Sequence, residues 1–207
     1  MKQVLIGRRV ATPSSLAPNY IGITQSAYGW ATDVPGNGQH PWSCAGTFRN
    51  LLVTLSAPVA GEGNQVIIAL RVNGGTTALS VFLNEGETTA RNVSDEVSVA
   101  AGAKVSLLHD PVLSGVTPMF EVSLEFESIV ENESGYGFAG GAISNSTPRY
   151  AGLFYSDTWT ATARNNENVV ATDGTVTRFD VGVSAYPGAD GNGYDFIIYK
   201  NGVAQDG

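Results

Sequence analysis

Residues 65–83 read QVIIALRVNGGTTALSVFL, and this stretch decides the fold. Val66, Ile68, Leu70 and Val72 alternate with Ile67, Ala69 and Arg71; Leu79, Val81 and Leu83 repeat the alternation on the far side of Asn73-Gly74. A period of two is the signature of a strand with one face toward a core. Asn-Gly supplies the positive φ angles of a tight two-residue turn. Residues 65–83 therefore predict a β-hairpin. Working outward, Phe120, Val122, Leu124 and Phe126 alternate with Glu121, Ser123, Glu125 and Glu127, a strand with a dry face and an acidic wet one. Further strands are predicted at about 20–24, 47–56, 88–93, 96–100 and 104–108, with turns at 84–87 and 101–103. No stretch of 11 residues carries an amphipathic helical stripe. Short strands broken by turn residues about every ten positions predict an all-β sandwich or barrel, and eight strands over 18–128 match a jelly roll.

The hairpin recurs. Residues 46–74 align without a gap to 174–202, with identities that include Gly46/Gly174, Val53/Val181, Asn64/Asn192 and Asn73-Gly74/Asn201-Gly202. Leu51 and Val53 become Phe179 and Val181; Val66 and Ile68 become Tyr194 and Phe196. Trp30 and Trp159 also correspond, and both are read as plugs of a module core. The expected architecture is all-β, with tandem antiparallel β-sandwich, jelly-roll-like modules. Its parts are an extended N-terminal arm at 1–19, a first module at 20–128, a Gly/Ser/Asn-rich linker at 129–148 and a partial second module at 149–207. The second copy is incomplete in this chain, so a longer natural chain or a second chain is expected to complete it.

Composition narrows the function. The formal net charge is −8, which argues against a nucleic-acid partner, since that affinity rests on Lys and Arg. The single cysteine makes no internal disulfide. Val4–Ile6 is too short for a signal-peptide core, and Arg8 and Arg9 follow at once, so synthesis in a cytoplasm without export, and without a membrane partner, is expected. Asn92-Val93-Ser94, Asn132-Glu133-Ser134 and Asn145-Ser146-Thr147 match the glycosylation pattern but mean little without a secretory route. Lys2, Arg8 and Arg9 on the arm are candidates for docking onto an acidic partner, against the plain alternative of a frayed terminus.

Candidate chemistry is sparse. His40 and His109 are the only imidazoles, no G-x-S-x-G elbow is present, and His109-Asp110 reads as an exposed loop before Pro111. Cys44 aligns with Thr172 and reads as a small buried residue. Asp190, Asn192 and Asp195 offer oxygens loosely like a calcium loop, without its twelve-residue spacing; a plain turn is the favoured reading, since Asp, Asn and Gly are its usual residues. Glu121, Glu125 and Glu127 share one strand face rather than converging in a cleft, as a glycosidase pair does. Tyr28, Trp42, Tyr155 and Tyr186 lie in loop-rich sequence and are candidates for stacking on host glycans. No catalytic residue and no cofactor is expected.

The run from Leu70-Arg71-Val72-Asn73-Gly74 through Asn92-Val93-Ser94 to Ala101-Gly102-Ala103-Lys104-Val105-Ser106-Leu107 resembles repeated β-modules of tailed-bacteriophage structural proteins. In those, an L-x-V-N-G hairpin precedes an N-x-V-S-V-x-A-G-D-x-V-S-L run; Ala103 stands here where an acid is common. The resemblance implies a non-enzymatic virion component (capsid decoration protein, head fibre or tail appendage) at the virion surface. Its partners would be further copies of itself, a trimer among the arrangements, and other virion proteins such as the major capsid protein. The alternatives are a carbohydrate-binding adhesion module and, behind it, a glycan-degrading enzyme.

Overall fold

A computed structural model of the chain describes residues 2–8, 18–23, 39–112, 118–131, 175–176, 179, 181, 193–201 and 203–205. They form strands β1 (Lys2–Arg8), β2 (Asn19–Ile21), β3 (His40–Pro41), β4 (Gly46–Leu55), β5 (Gln65–Val72), β6 (Gly75–Asn84), β7 (Thr89–Val99), β8 (Lys104–Val112), β9 (Phe120–Ser128), β10 (Tyr199–Lys200) and β11 (Val203–Ala204), with no helix among the described residues. One antiparallel sheet runs β1-β9-β4-β7. The second runs β2-β8-β5-β6, with β3 paired to β8 beside β2. Their inward side chains make one core, so the fold is an all-β sandwich.

The pairing is nested. β5 pairs β6 across the Asn73-Gly74 turn; outside them β4 pairs β7; outside those β2 and β3 pair β8; outermost, β1 pairs β9. Asn73 adopts φ 50° and Gly74 φ 83°, the left-handed pair that the turn requires. Asn73 also holds the turn against β8. Its N–H donates to the Lys104 carbonyl at 2.7 Å, and its Oδ1 accepts from the Lys104 N–H at 2.9 Å.

Period-two alternation fills the core from both sheets: Val66, Ile68 and Leu70 on β5, Leu79, Val81 and Leu83 on β6, and Val122, Leu124 and Phe126 on β9. In β4 the alternation changes parity. Phe48 faces in, then Leu51, Val53 and Leu55 do, because Asn50 at φ 55° opens a bulge that gives β4 one residue more than β9 between the Arg49 and Leu52 pairs. Without that bulge, Leu52 and Thr54 would turn inward in their place. Gly46 begins β4 where a Cβ would collide with the Glu127 carbonyl and the Phe126 ring.

Several expectations are corrected. Residues 2–8 are not a free arm: they are the outer strand of the first sheet, Leu5 lies in the core, and the module begins at residue 2 rather than 20. The register sets Lys2 opposite Glu127 and Arg8 opposite Glu121. The runs expected at 88–93 and 96–100 are one strand, β7, bulged at Val93-Ser94-Asp95, because Arg49 pairs Glu96 while Leu51 pairs Asn92. His109 does not lie in a loop. It is in β8, fully buried and stacked parallel to Phe120 at 6.1 Å; Pro111 is accommodated because β2 pairs only residues 107–109, leaving β8 one neighbour there.

Most of the segment expected to form a second copy lies outside the described residues, and so does the superposition expected for 174–202. What is described reproduces the first hairpin locally. Lys200 pairs Val203 and Tyr199 pairs Ala204, and Asn201 has φ 52°. The equivalent pairs are Val72 with Gly75 and Arg71 with Thr76.

Candidate functional site

The inward residues are committed to packing, so any binding surface lies on the two outward sheet faces and the strand edges. On the first sheet, alternation puts Arg49 of β4 between Glu96 of β7 and Glu125 and Glu127 of β9. Its guanidinium donates to Glu96 Oε1 at 3.3 Å and to Glu127, and its Nε lies 3.6 Å from Glu125 Oε2. The Glu96 hydrogen bond first, opposed by partial burial, and then the Glu127 carboxylate hold Arg49 above its ordinary value. Asn50, turned by its bulge, donates to Glu125 Oε2 at 2.8 Å. Two of the three acids of β9, Glu125 and Glu127, are thus gathered around one arginine and one amide. This is a charged, mutually satisfied face without a converging acid pair.

The edges of the two sheets meet where β6 and β7 are both bulged. Asn92 joins them. Its Nδ2 donates to the Ser80 carbonyl at 2.8 Å, weakly to the Ala78 carbonyl at 3.4 Å, and to Asp95 Oδ2 at 2.8 Å. Its Oδ1 accepts from the N–H groups of Asp95 at 3.1 Å and Ser94 at 3.2 Å. The amide of the one described glycosylation-type asparagine is therefore already engaged.

The second sheet presents a different face. The register places Tyr20, Leu108, Ala69 and Ser80 in one outward row, and Asp110, Ile67 and Phe82 in the next. Phe82 is 52% exposed and Val112 38% exposed. Arg71 lies over the Tyr20 ring with its guanidinium carbon 4.8 Å from the centroid, and donates to the Gly74 carbonyl. Ala69, Leu108 and Ser106 on this side of the sheet are buried although they lie outside the core cluster, and Phe82 is its exposed aromatic.

The glycan candidate Trp42 is corrected. It is fully buried, edge-on to Phe48 and Phe126 with centroids 5.0 Å away in each case, and offers no ring face to a ligand. Tyr28, Tyr155, Tyr186, Trp30, Trp159 and Arg9 lie outside the described residues, as do Asp190 and Asn192. Asp195 is exposed, and among the described residues no group of three His, Cys, Asp or Glu side chains is placed to hold a metal ion. Cys44 is buried. No described helix is long and apolar enough to cross a membrane. The chain matches no protein-family model, and no curated protein is similar to it in sequence.

Proposed function

We propose that this chain is a non-enzymatic structural component of a bacteriophage virion, acting by assembly with further copies of itself and with other virion proteins such as the major capsid protein at the particle surface. The observation that carries the reading is the nested strand pairing. Numbered through the sandwich, with β2 and β3 counted as one strand, first pairs eighth, second pairs seventh, third pairs sixth and fourth pairs fifth. We read that order as a jelly roll, an architecture of viral capsid domains among others. The L-x-V-N-G hairpin lies on β5 and its turn, and Asn92-Val93-Ser94 and Val97-Ser98-Val99 lie on β7, elements that build this pairing. The matching turn at Asn201 supports a second, tandem copy of the module.

In this reading the work is mechanical. Two sheets locked face to face make a rigid block, and its outer surfaces are free to bind neighbours. A virion component is recovered with its particle. Mass spectrometry and antibody labelling of particles purified by density gradient from the source phage should find the chain in fixed ratio to the capsid protein. Recovery only in the soluble fraction refutes the proposal. Glycan-array binding by the chain, abolished by substitution of its exposed tyrosines, replaces it with the adhesion alternative.

A further inference from the structure

The sequence holds four Asn-Gly pairs, beginning at Asn37, Asn73, Asn192 and Asn201, and Asn73 and Asn201 are among the described residues. An asparagine before glycine is prone to deamidate, because glycine has no side chain to shield its backbone nitrogen. That nitrogen attacks the asparagine Cγ. The bond from Cγ to Nδ2 breaks, and ammonia leaves with the proton that the attacking nitrogen gives up. The cyclic imide then takes up one water at either carbonyl, leaving aspartate or isoaspartate. Ring closure needs the glycine nitrogen on the same side of the Cα–C bond as Cβ. Asn73 at φ 50° and Asn201 at φ 52° both have the left-handed φ of a hairpin turn, and the ψ that accompanies it sets that nitrogen on the opposite side. Each turn must therefore open before its asparagine can react.

The two turns are held differently. Asn73 is clasped by β8: its N–H donates to the Lys104 carbonyl at 2.7 Å, and its Oδ1 accepts from the Lys104 N–H at 2.9 Å. Arg71 donates to the Gly74 carbonyl, and β5 is paired on both sides as far as Val72. Asn201 is exposed, and among the described residues nothing bonds its side-chain amide. Its turn is tied by the pairs Lys200 with Val203 and Tyr199 with Ala204, and by the Gln205 N–H donating to the Ile198 carbonyl at 2.8 Å. We propose that Asn201 is a site of spontaneous deamidation in the folded chain, and that the Lys104 clasp keeps Asn73 from following it. The product at Asn201 carries a new negative charge. As isoaspartate it also lengthens the main chain by one carbon, which upsets the register of β10 on β11.

The test is mass-spectrometric peptide mapping of the full chain through a time course in mildly alkaline buffer. Aspartate and isoaspartate are resolved at each Asn-Gly pair, and circular dichroism checks folding. In the folded chain Asn201 should convert at least about tenfold faster than Asn73, the factor that two net hydrogen bonds supply. In concentrated urea the two rates should converge. Lys104→Pro removes the donating N–H; it should speed Asn73 and leave Asn201 unchanged. An Asn201 that keeps its amide, equal rates at the two sites in the folded wild type, or an Asn73 as slow in urea as in buffer overturns the proposal, and these wild-type readings decide even where Lys104→Pro does not fold. A folded Lys104→Pro chain with the wild-type rate at Asn73 overturns the clasp.

Discussion

Replacing Asn92 with alanine should unfasten the two bulged edges of the sandwich from each other. Four contacts of good geometry are lost: donation to the Ser80 carbonyl and to Asp95, each at 2.8 Å, and acceptance from the N–H groups of Asp95 at 3.1 Å and Ser94 at 3.2 Å. A net hydrogen bond contributes about 0.5–1.5 kcal/mol. The bonds inside β7's own bulge lie at an exposed edge, where water can replace them, and count at the low end. The bond to Ser80 bridges the two sheets and counts near the middle. The sum is about 2–3 kcal/mol, read as a shift of the urea midpoint by tryptophan fluorescence with unchanged m-value. Asn92→Asp separates donor from acceptor. It keeps the oxygen that holds the bulge but turns a second carboxylate oxygen toward the Ser80 carbonyl and Asp95. Its folded pKa should therefore rise above the ordinary aspartate value of about 3.9. A raised folded pKa means stability that is present at low pH and lost as pH rises through it. Asn92→Asp should thus be no more stable than Asn92→Ala at neutral pH and should regain ground on acidification, relative to wild type. Amide exchange should quicken at 77–80 and 92–96 before it does in β5 or β9. An Asn92→Ala protein within about 0.5 kcal/mol of wild type, the scatter of ordinary surface changes, refutes the staple.

Trp42→Ala removes the fully buried ring at the meeting of Phe48 and Phe126 and should cost about 3–5 kcal/mol in denaturant unfolding; retained stability would mean the ring does not occupy the core. Gly46→Ala forces a methyl onto the Glu127 carbonyl and the Phe126 ring and should cost about 1–3 kcal/mol by the same assay, against no loss if the strand simply shifts. Arg49→Met should shift the denaturant midpoint only slightly, because its three carboxylates are partly exposed, and the shift should shrink with added salt; a large, salt-independent shift would make the cluster a structural element.

The hairpin at 65–83 was legible because turn chemistry and alternation are local: Asn73-Gly74 and its flanks need no distant partner to declare themselves. The outer strands were not, for the opposite reason. Lys2–Arg8 is seven residues with charged ends, and nothing within it shows that β9 will lie alongside. His109 looked like a loop residue because Pro111 punctuates the sequence, although the shortness of β2 removes the conflict. Asn50 and the bulge at Val93-Ser94-Asp95 disrupt alternation in a single strand, which on paper is indistinguishable from a break between two.

The pairing of β1 with β9 sets a schedule for synthesis. Lys2 leaves the ribosome long before Glu127, its partner in the ladder. At roughly 5–20 residues per second, the first strand waits on the order of ten seconds before its neighbour exists. The β5–β6 hairpin can close long before, since its strands meet across two residues. The fold therefore grows from its middle outward, and the earliest-made strand of the sandwich is the last to be enclosed. During that interval the open edge of β9's future site and the waiting strand are both available to a neighbouring nascent chain. Lysine and arginine at the two ends of the waiting segment discourage it from pairing with its own kind, because two antiparallel copies would bring cation onto cation.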